Sequence, residues 1–456
     1  MIFFVGIKGV AMANLAVFLK RMGKKVFGAD TQAQFITDEL LKNNKIKWIE
    51  DFDPKHLKKD VDLVVYSGVH GGTRNPIVVE AKKRKIKVIC QAELQDELMK
   101  QFAVKIAVAG CHGKTTTSSL LVYALDRLKT RPSYLIGAPY FDGHEGANFQ
   151  AKKYFVIEAD EYGVNPPYDL TPKFHKLNPD YIIGLNIDFD HPDVYRDIKE
   201  TKTAFVKFFA TRKLLLCADD KNLMSITSKF KKSRYKTYGF GESADYRIVN
   251  WRVDGEESSF EIKAIGKFKV NLFGEKNIAN AASVIVLLHR LGFKPEAVAH
   301  AILGFYGAKR RFERVYYKNN IYLYDDYAHH PNEIVSTIEA ARLRFKGRRI
   351  VIIFQPHTYS RTAFLLKEFT ESLSKADLTL ILPIFASARE TKYEFKITSN
   401  DIVNGAKTGN LHQFKNSKEL LDRLRTILRR GDVVFTMGAG DVYKLGEKII
   451  KIIQSK

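Results

Sequence analysis

Residues 107–121 read AVAGCHGKTTTSSLL, and their order fixes the kind of fold around them. An apolar run enters a tight glycine turn and leaves it as a polar helix start with apolar residues at helical spacing behind it. Strand, glycine turn and helix in that sequence make a phosphate cradle, because the N–H groups of the turn and of the helix N-terminus converge on one point. Lys114 adds a point charge for the β- and γ-phosphates, and the Thr115 hydroxyl can ligate Mg²⁺. The usual pattern has a glycine at position 108, where Val108 stands, so the loop is a shortened form. Gly110, Cys111, His112, Gly113, Lys114, Thr115 and Thr116 are the candidate binders of a nucleoside triphosphate.

The same rhythm extends in both directions. Upstream, IFFVGI, KKVFGAD, DLVVYSG and KIKVICQ read as strands with helices between them, the first helix being VAMANLAVFLKRMG. The strand KIAVAG opens a second unit that continues through YFVIEAD and YIIGLNID. From Ile321 a third unit follows, with strands at IYLYDDY, RIVIIFQP, LTLILPIF and VVFTMG. Alternating strands and helices predict parallel sheets covered by helices. The stretch from YKTYGF to FKVNLF reads as hairpins, and EKNIANAASVIVLLHRLG returns to a helix. The expected fold is α/β in three domains, with boundaries at 1–101, 102–306 and 307–456.

Composition narrows the class. The 456 residues carry 74 Lys and Arg against 51 Asp and Glu, a formal net charge of +23. The lysines are scattered, which suits a solvated basic surface and anionic small substrates. An ATPase working on nucleic acid would interleave aromatic and basic residues along one surface, and no such stretch is visible, so no nucleic-acid partner is expected. Three cysteines without a CxxC exclude a disulfide framework and fit a reducing cytoplasm. The apolar N-terminal run is interrupted by Lys8 and followed, not preceded, by its basic cluster, unlike a signal peptide. No segment suits a bilayer span, so no membrane insertion is expected, and a monomer or weak homodimer is the expected state.

Acids recur at strand ends. VIEADE brings Glu158, Asp160 and Glu161 beside the phosphate loop, and NIDFDH brings Asp188, Asp190 and His191. Thr115, Glu158 and His191 are the candidate Mg²⁺ ligands, sharing the ion with phosphate oxygens, although His is an unusual ligand for it.

GCHGKTTT, EADE and NIDFDH stand here in the order and spacing of the Mur ligase family. KRRFE (309–313), DDYAHHP (325–331), QPHTYSRT (355–362), SLSKADLTLILPIFASARE (372–390) and TMGAGD (436–441) extend the likeness over nearly the whole chain. The sequence therefore resembles the ATP-dependent amide-forming enzymes of peptidoglycan precursor synthesis. The resemblance implies an N-terminal Rossmann-like domain for a UDP-sugar, a central P-loop ATPase with a mixed sheet, and a C-terminal Rossmann-like domain for an amino acid. It further implies that the lactyl carboxylate of UDP-N-acetylmuramate is phosphorylated by ATP and then captured by the amine of L-alanine. The alternative within the family is capture by an intact tripeptide.

By the same resemblance Lys114, Glu158, His191, Arg311, His330, His357 and Arg361 are the catalytic candidates. Arg361 would fork onto the alanine carboxylate, and His330 and His357 would orient or deprotonate the amine. Asn277 and Asn280 would lie near the adenine. Gly6, Ile7, Lys8 and Gly9, with Asp30 and His70, would hold the UDP portion. The family usually carries glycine where Lys8 and Ala11 stand, leaving two expectations for Lys8: added charge for a diphosphate, or an obstruction to it.

Overall fold

The apolar run IFFV forms β1 (Ile2–Val5), flanked by β2 (Val26–Ala29), β3 (Trp48–Ile49), β4 (Leu63–Tyr66) and β5 (Lys87–Cys90). These five pair in parallel in the order β3-β2-β1-β4-β5. Strands covered on both faces must be apolar throughout, and Phe3, Phe4, Val64 and Val65 are fully buried. The direction of winding reverses between β1 and β4. At such a switch point the loops leaving the strand ends part and open a crevice.

The computed structural model describes residues 1–386 and 395–456; the last residues of SLSKADLTLILPIFASARE, 387–390, lie outside them. The chain gathers into two units, the first made of Met1–Trp251, Ser259–Val270 and Ala279–Ala308, and the second of Arg252–Ser258, Asn271–Ile278 and Lys309–Lys456.

Besides the N-terminal sheet, the first unit holds strands β6 (Val104–Ala109), β7 (Ser133–Phe141), β8 (His144–Asn148), β9 (Tyr154–Ala159) and the short antiparallel pair β10 (Gly163–Asn165) and β11 (Asp169–Pro172). β12 (Tyr181–Gly184), β13 (Lys213–Cys217), β14 (Tyr235–Gly239), β15 (Tyr246–Asp254), β16 (Glu257–Ile262) and β17 (Gly266–Val270) follow, the end of β15 and the start of β16 being counted with the second unit. The large sheet runs β17-β16-β15-β14-β13-β12-β6-β9-β7-β8. It is mixed, since β7 and β8 are antiparallel while β6 lies parallel to β9 and β12.

The expected hairpins hold in part. β15, β16 and β17 are sheet neighbours joined by loops of two and three residues, as hairpins require, but β14, which opens the stretch, pairs in parallel with both β13 and β15. Residues 218–234 separate β13 from β14, and they fold into helical turns at Lys221–Ser225, Thr227–Lys229 and Lys232–Arg234. A crossover of that length brings the chain back in the same direction. Alternation of apolar and polar residues marks all four strands, but it does not carry the direction of β14.

Helix α1 (Val10–Arg21) joins the two sheets of the first unit. Phe18 meets Phe155 of β9 edge-on with ring centroids 5.7 Å apart, and Phe102 stacks on Phe155 at 4.7 Å. Phe149 closes the cluster.

In the second unit β18 (Glu313–Lys318) lies antiparallel to β19 (Ile321–Asp326), and β20 (Ile350–Phe354), β21 (Leu378–Ile381), β22 (Leu411–Gln413) and β23 (Val433–Met437) complete a sheet ordered β18-β19-β23-β20-β21-β22. From β19 onward the pairing is parallel. All three cysteines are free thiols. Among the described residues no helix is long and apolar enough to cross a membrane.

Candidate functional site

The phosphate loop leaves β6 at Gly110 and enters the helix Lys114–Arg127. Gly113 caps that helix with φ +82°, a conformation that glycine adopts without penalty. A Cβ there would also come within 3.0 Å of Asn280 Nδ2. Asn280 thus sits against the loop, while Asn277, one turn earlier on helix Glu275–Arg290, spends its side-chain amide on the Phe273 carbonyl at 2.9 Å. The loop is clamped from the end of β12. The His112 N–H donates to Asn186 Oδ1 at 2.9 Å, and Asn186 Nδ2 donates back to the His112 carbonyl at 2.9 Å. His112 Nε2 lies 2.9 Å from Asp188 Oδ2, and Cys111 Sγ donates to the Asp188 carbonyl. Burial pushes the Cys111 thiol well above its ordinary pKa, so it behaves as a small packed group.

Lys114 turns its ammonium inward. It donates to the Gly110 carbonyl at 2.6 Å and to Glu161 Oε2 at 2.7 Å. Burial opposes its charge, but Glu161 and Asp160 outweigh that and raise its pKa. Thr116 is buried on the same helix turn. Register places Glu158 directly beside Val108, one strand away from the loop. Glu158 Oε2 lies 3.2 Å from Thr115 Oγ1, and Oε1 receives the Gly137 N–H at 2.6 Å and the Ser118 hydroxyl at 3.1 Å.

His191 stands with φ +62° and places Nε2 3.5 Å from Glu161 Oε1 and 3.7 Å from Asp190 Oδ2. Its ring meets Tyr162 at 4.6 Å. Burial would raise Asp160, yet the ammonium groups of Lys173 and Lys114 hold its carboxyl well below the usual range. Hydroxyl and carboxylate oxygens at Thr115 and Glu158 are a hard donor set, suited to Mg²⁺. The imidazole of His191 beside Glu161 is a softer addition to it.

The N-terminal candidates also converge. Gly6 (φ +81°) ends β1, and its N–H bonds the Ala29 carbonyl. Ile7 is buried against β2, where a Cβ on Gly28 would lie 2.7 Å from it. Gly9 precedes α1. Asp30 accepts the Lys8 N–H at 2.7 Å and lies 3.4 Å from His70 Nε2; the His70 ring packs on Phe52 at 5.0 Å. The side chain of Lys8 takes neither expected course. It is 1% exposed and passes beneath the loop after β2, donating to the carbonyls of Thr31 at 3.0 Å and Ala33 at 2.6 Å. Phe35 and Trp48 flank its ammonium at 5.2 and 5.7 Å.

In the second unit His330 caps the helix Pro331–Arg344, its Nδ1 accepting from the Asn332 N–H. A neutral His330 ring therefore carries its proton on Nε2. His357 stacks on Phe385 with centroids 5.8 Å apart and faces His329 edge-on at 6.3 Å. Arg361 is 5% exposed and donates to the His357 carbonyl at 3.3 Å; Thr358, with φ +71°, caps its helix. Arg311 lies over the Tyr327 ring at 4.8 Å. Burial pushes Asp326 up to about 6 against the opposing pull of Arg311. Arg310 is the buried member of the pair, bonded to Asp325 at 2.9 Å and to the Gly438 carbonyl.

Family profiles match consecutive parts of this chain: the Mur ligase family catalytic domain over residues 1–103, the Mur ligase middle domain over 108–288, and the Mur ligase glutamate ligase domain over 310–440. The UDP-N-acetylmuramate–L-alanine ligase of Lactobacillus acidophilus is 35% identical, with 99% of this chain and 98% of that protein aligned. The chain belongs to the Mur ligase family. The enzyme of the same name from Pediococcus pentosaceus is 37% identical over 97% of this chain and 96% of its own. In fold, this Mur ligase is similar to the UDP-N-acetylmuramate–alanine ligase of Thermotoga maritima, with a TM-score of 0.80 at 24% identity over 100% of this chain and 99% of that one. A murein peptide ligase from Psychrobacter arcticus gives 0.74 at 23% identity, over 100% of this chain and 99% of its own.

Two residues of this Mur ligase went without a role in the sequence reading. Glu161 is 2% exposed and bridges Lys114 to His191; the repeated acids of EADE were its signal. Asn186 clamps the phosphate loop, and only the proximity of NIDFDH to a strand end hinted at it.

Proposed function

We propose that this Mur ligase joins L-alanine to the lactyl carboxylate of UDP-N-acetylmuramate at the expense of ATP, with Mg²⁺ held by Thr115 and Glu158. The observation that carries the reading is the joint placement of Lys114, Thr115, Glu158, Glu161 and His191 around one phosphate loop. A carboxylate and a triphosphate repel, so the site must supply positive charge where they meet. Lys114 serves the γ-phosphate side from the loop. A bound Mg²⁺ would screen the remaining phosphate charge beside Glu158, with His191 available on the other side.

The substrate carboxylate then attacks the γ-phosphorus in line, ADP leaves, and the acyl phosphate so formed is the electrophile for the amine. The amine nitrogen forms the C–N bond and gives up a proton, and the tetrahedral adduct collapses by expelling phosphate. Gly6, Ile7 and Gly9, beside Asp30 and His70, would take the UDP portion at the start of α1. Lys8 would shape that loop from below. Arg361 would hold the amino-acid carboxylate, His357 would receive the amine proton, and His330, whose Nδ1 is engaged as the helix cap, would orient the substrate by donating from Nε2.

The test is phosphate release by the purified protein with ATP, Mg²⁺ and UDP-N-acetylmuramate. L-Ala, Gly, L-Ser and L-Ala-γ-D-Glu-diaminopimelate are added in turn, with mass spectrometry of the product. Turnover strongest with L-Ala is expected. Turnover with the tripeptide alone would replace this reading by the recycling one.

A further inference from the structure

Helix α1 is buried along Met12–Leu19, and one residue of that stretch, Asn14, is polar. An amide that is 1% exposed must find partners or destabilise the helix that carries it. Its partners lie on β7. Asn14 Nδ2 donates to the Ile136 carbonyl at 2.6 Å and to the Ala138 carbonyl at 2.9 Å. Both amide hydrogens are spent there, while Oδ1 is buried with no hydrogen-bond partner among the described residues. The chain keeps room for this amide. A Cβ at Gly146 would lie 2.4 Å from Asn14 Nδ2 and 1.8 Å from the Ala138 carbonyl oxygen.

The two carbonyls flank Gly137, in the part of β7 where its register with β8 shifts, between Leu135 and Tyr140. Pairing of β7 with β9 covers Ser133–Leu135. In an extended strand alternate peptide groups point to opposite edges. While the carbonyls of 136 and 138 face Asn14, the N–H of 137 faces the other way, and its acceptor is Glu158 Oε1 at 2.6 Å. The Ser118 hydroxyl is also within reach of Oε1, but its one proton is shared with the carbonyls of Lys114 and Thr115. The Gly137 amide is therefore the fixed donor that turns Oε1 aside and leaves Oε2 toward Thr115.

We infer that Asn14 is a positioning residue for Glu158. It pins the peptide at Gly137 from the N-terminal helix, and that peptide orients the carboxylate beside the phosphate loop. The inference rests on the reading of Thr115 and Glu158 as the Mg²⁺ ligands.

Calorimetric titration of Mg²⁺ into the full chain with a slowly hydrolysed ATP analogue tests it. Asn14→Ala should raise the Mg²⁺ concentration for half-maximal binding about tenfold, the usual effect of losing an outer partner of a metal ligand. Nucleotide affinity in EDTA should stay within twofold. Gly137→Ala, whose Cβ would stand 2.6 Å from Glu158 Oε2, should shift the midpoint similarly, and adding Asn14→Ala to it should cause little further change. Asn14→Ser keeps one donor in a smaller side chain; it carries the test if Asn14→Ala does not fold, with an intermediate shift expected. A folded Asn14 variant that lowers thermal stability but leaves the midpoint unmoved overturns the inference and leaves the metal reading standing. Nucleotide binding indifferent to Mg²⁺ in the wild type overturns both.

Discussion

Replacing Lys8 by Met separates two functions that a buried cation near a nucleotide loop could have. The ammonium makes two charge-assisted hydrogen bonds, to the carbonyls of Thr31 and Ala33, and has Asp38 at 3.7 Å. Such bonds are each worth about 1.5–3 kcal/mol. Methionine fills nearly the same volume but leaves both carbonyls unserved, and it recovers part of the cost of burying a charge. The net destabilisation is about 3 kcal/mol. Unfolding entropy is about 2.1 cal/mol/K per residue, and roughly 300 residues belong to the first unit, so the melting temperature should fall by about 5 °C. Differential scanning calorimetry gives this shift, and UDP-N-acetylmuramate affinity is measured on the same sample well below the transition. The expected outcome is a clear drop in Tm with binding weakened less than tenfold. An unchanged Tm together with loss of binding would refute the reasoning, because the ammonium would then be serving the ligand instead of the loop.

Lys114→Met should lower turnover by about a thousandfold in the phosphate-release assay, since it removes a preorganised cation from the site of developing charge. It should also cost stability by leaving Glu161 buried without its ammonium partner, which Glu161→Gln in the same chain would restore without restoring activity. Asp326 holds its proton up to about pH 6 when folded but only to the ordinary carboxylate range when unfolded, so its contribution to stability is complete below pH 4 and lost as pH rises through 6. The stability of Asp326→Asn relative to wild type should therefore improve by about 3 kcal/mol between pH 4 and pH 7, as followed by urea denaturation at each pH. Cys111 should resist alkylation by iodoacetamide at pH 8 in the folded protein and react on denaturation, as read by mass spectrometry.

Much of the architecture was legible in the sequence because the signals were local. The strand before Gly110, the glycine turn and the helix after it declared themselves in fifteen residues, and the apolar strands of all three sheets stood where their runs lie. Glu158 could be placed because a strand-end acid beside a phosphate loop has one probable neighbour. What escaped was set by partners distant in sequence. Whether β14 runs parallel or antiparallel depends on the path of residues 218–234, and alternation carries no information about direction. Lys8 reads as a charge in a phosphate loop until the loop after β2 supplies carbonyls for it. His330 looks like a free imidazole in HHP until the helix start at Pro331 makes it a cap, and Asn14 looks like an ordinary polar interruption of a helix until β7 turns the carbonyls of 136 and 138 toward it.

Under the proposed reading, the ion pair between Lys114 and Glu161 would make nucleotide binding an exchange. The lysine already has a counterion in Glu161, so an arriving anion would have to take that carboxylate's place at the ammonium. A single inorganic phosphate gains little over what it replaces. A triphosphate gains more, since it also engages the N–H groups of the loop over several oxygens. Under the proposed reading the pair would favour polyanions over simple anions.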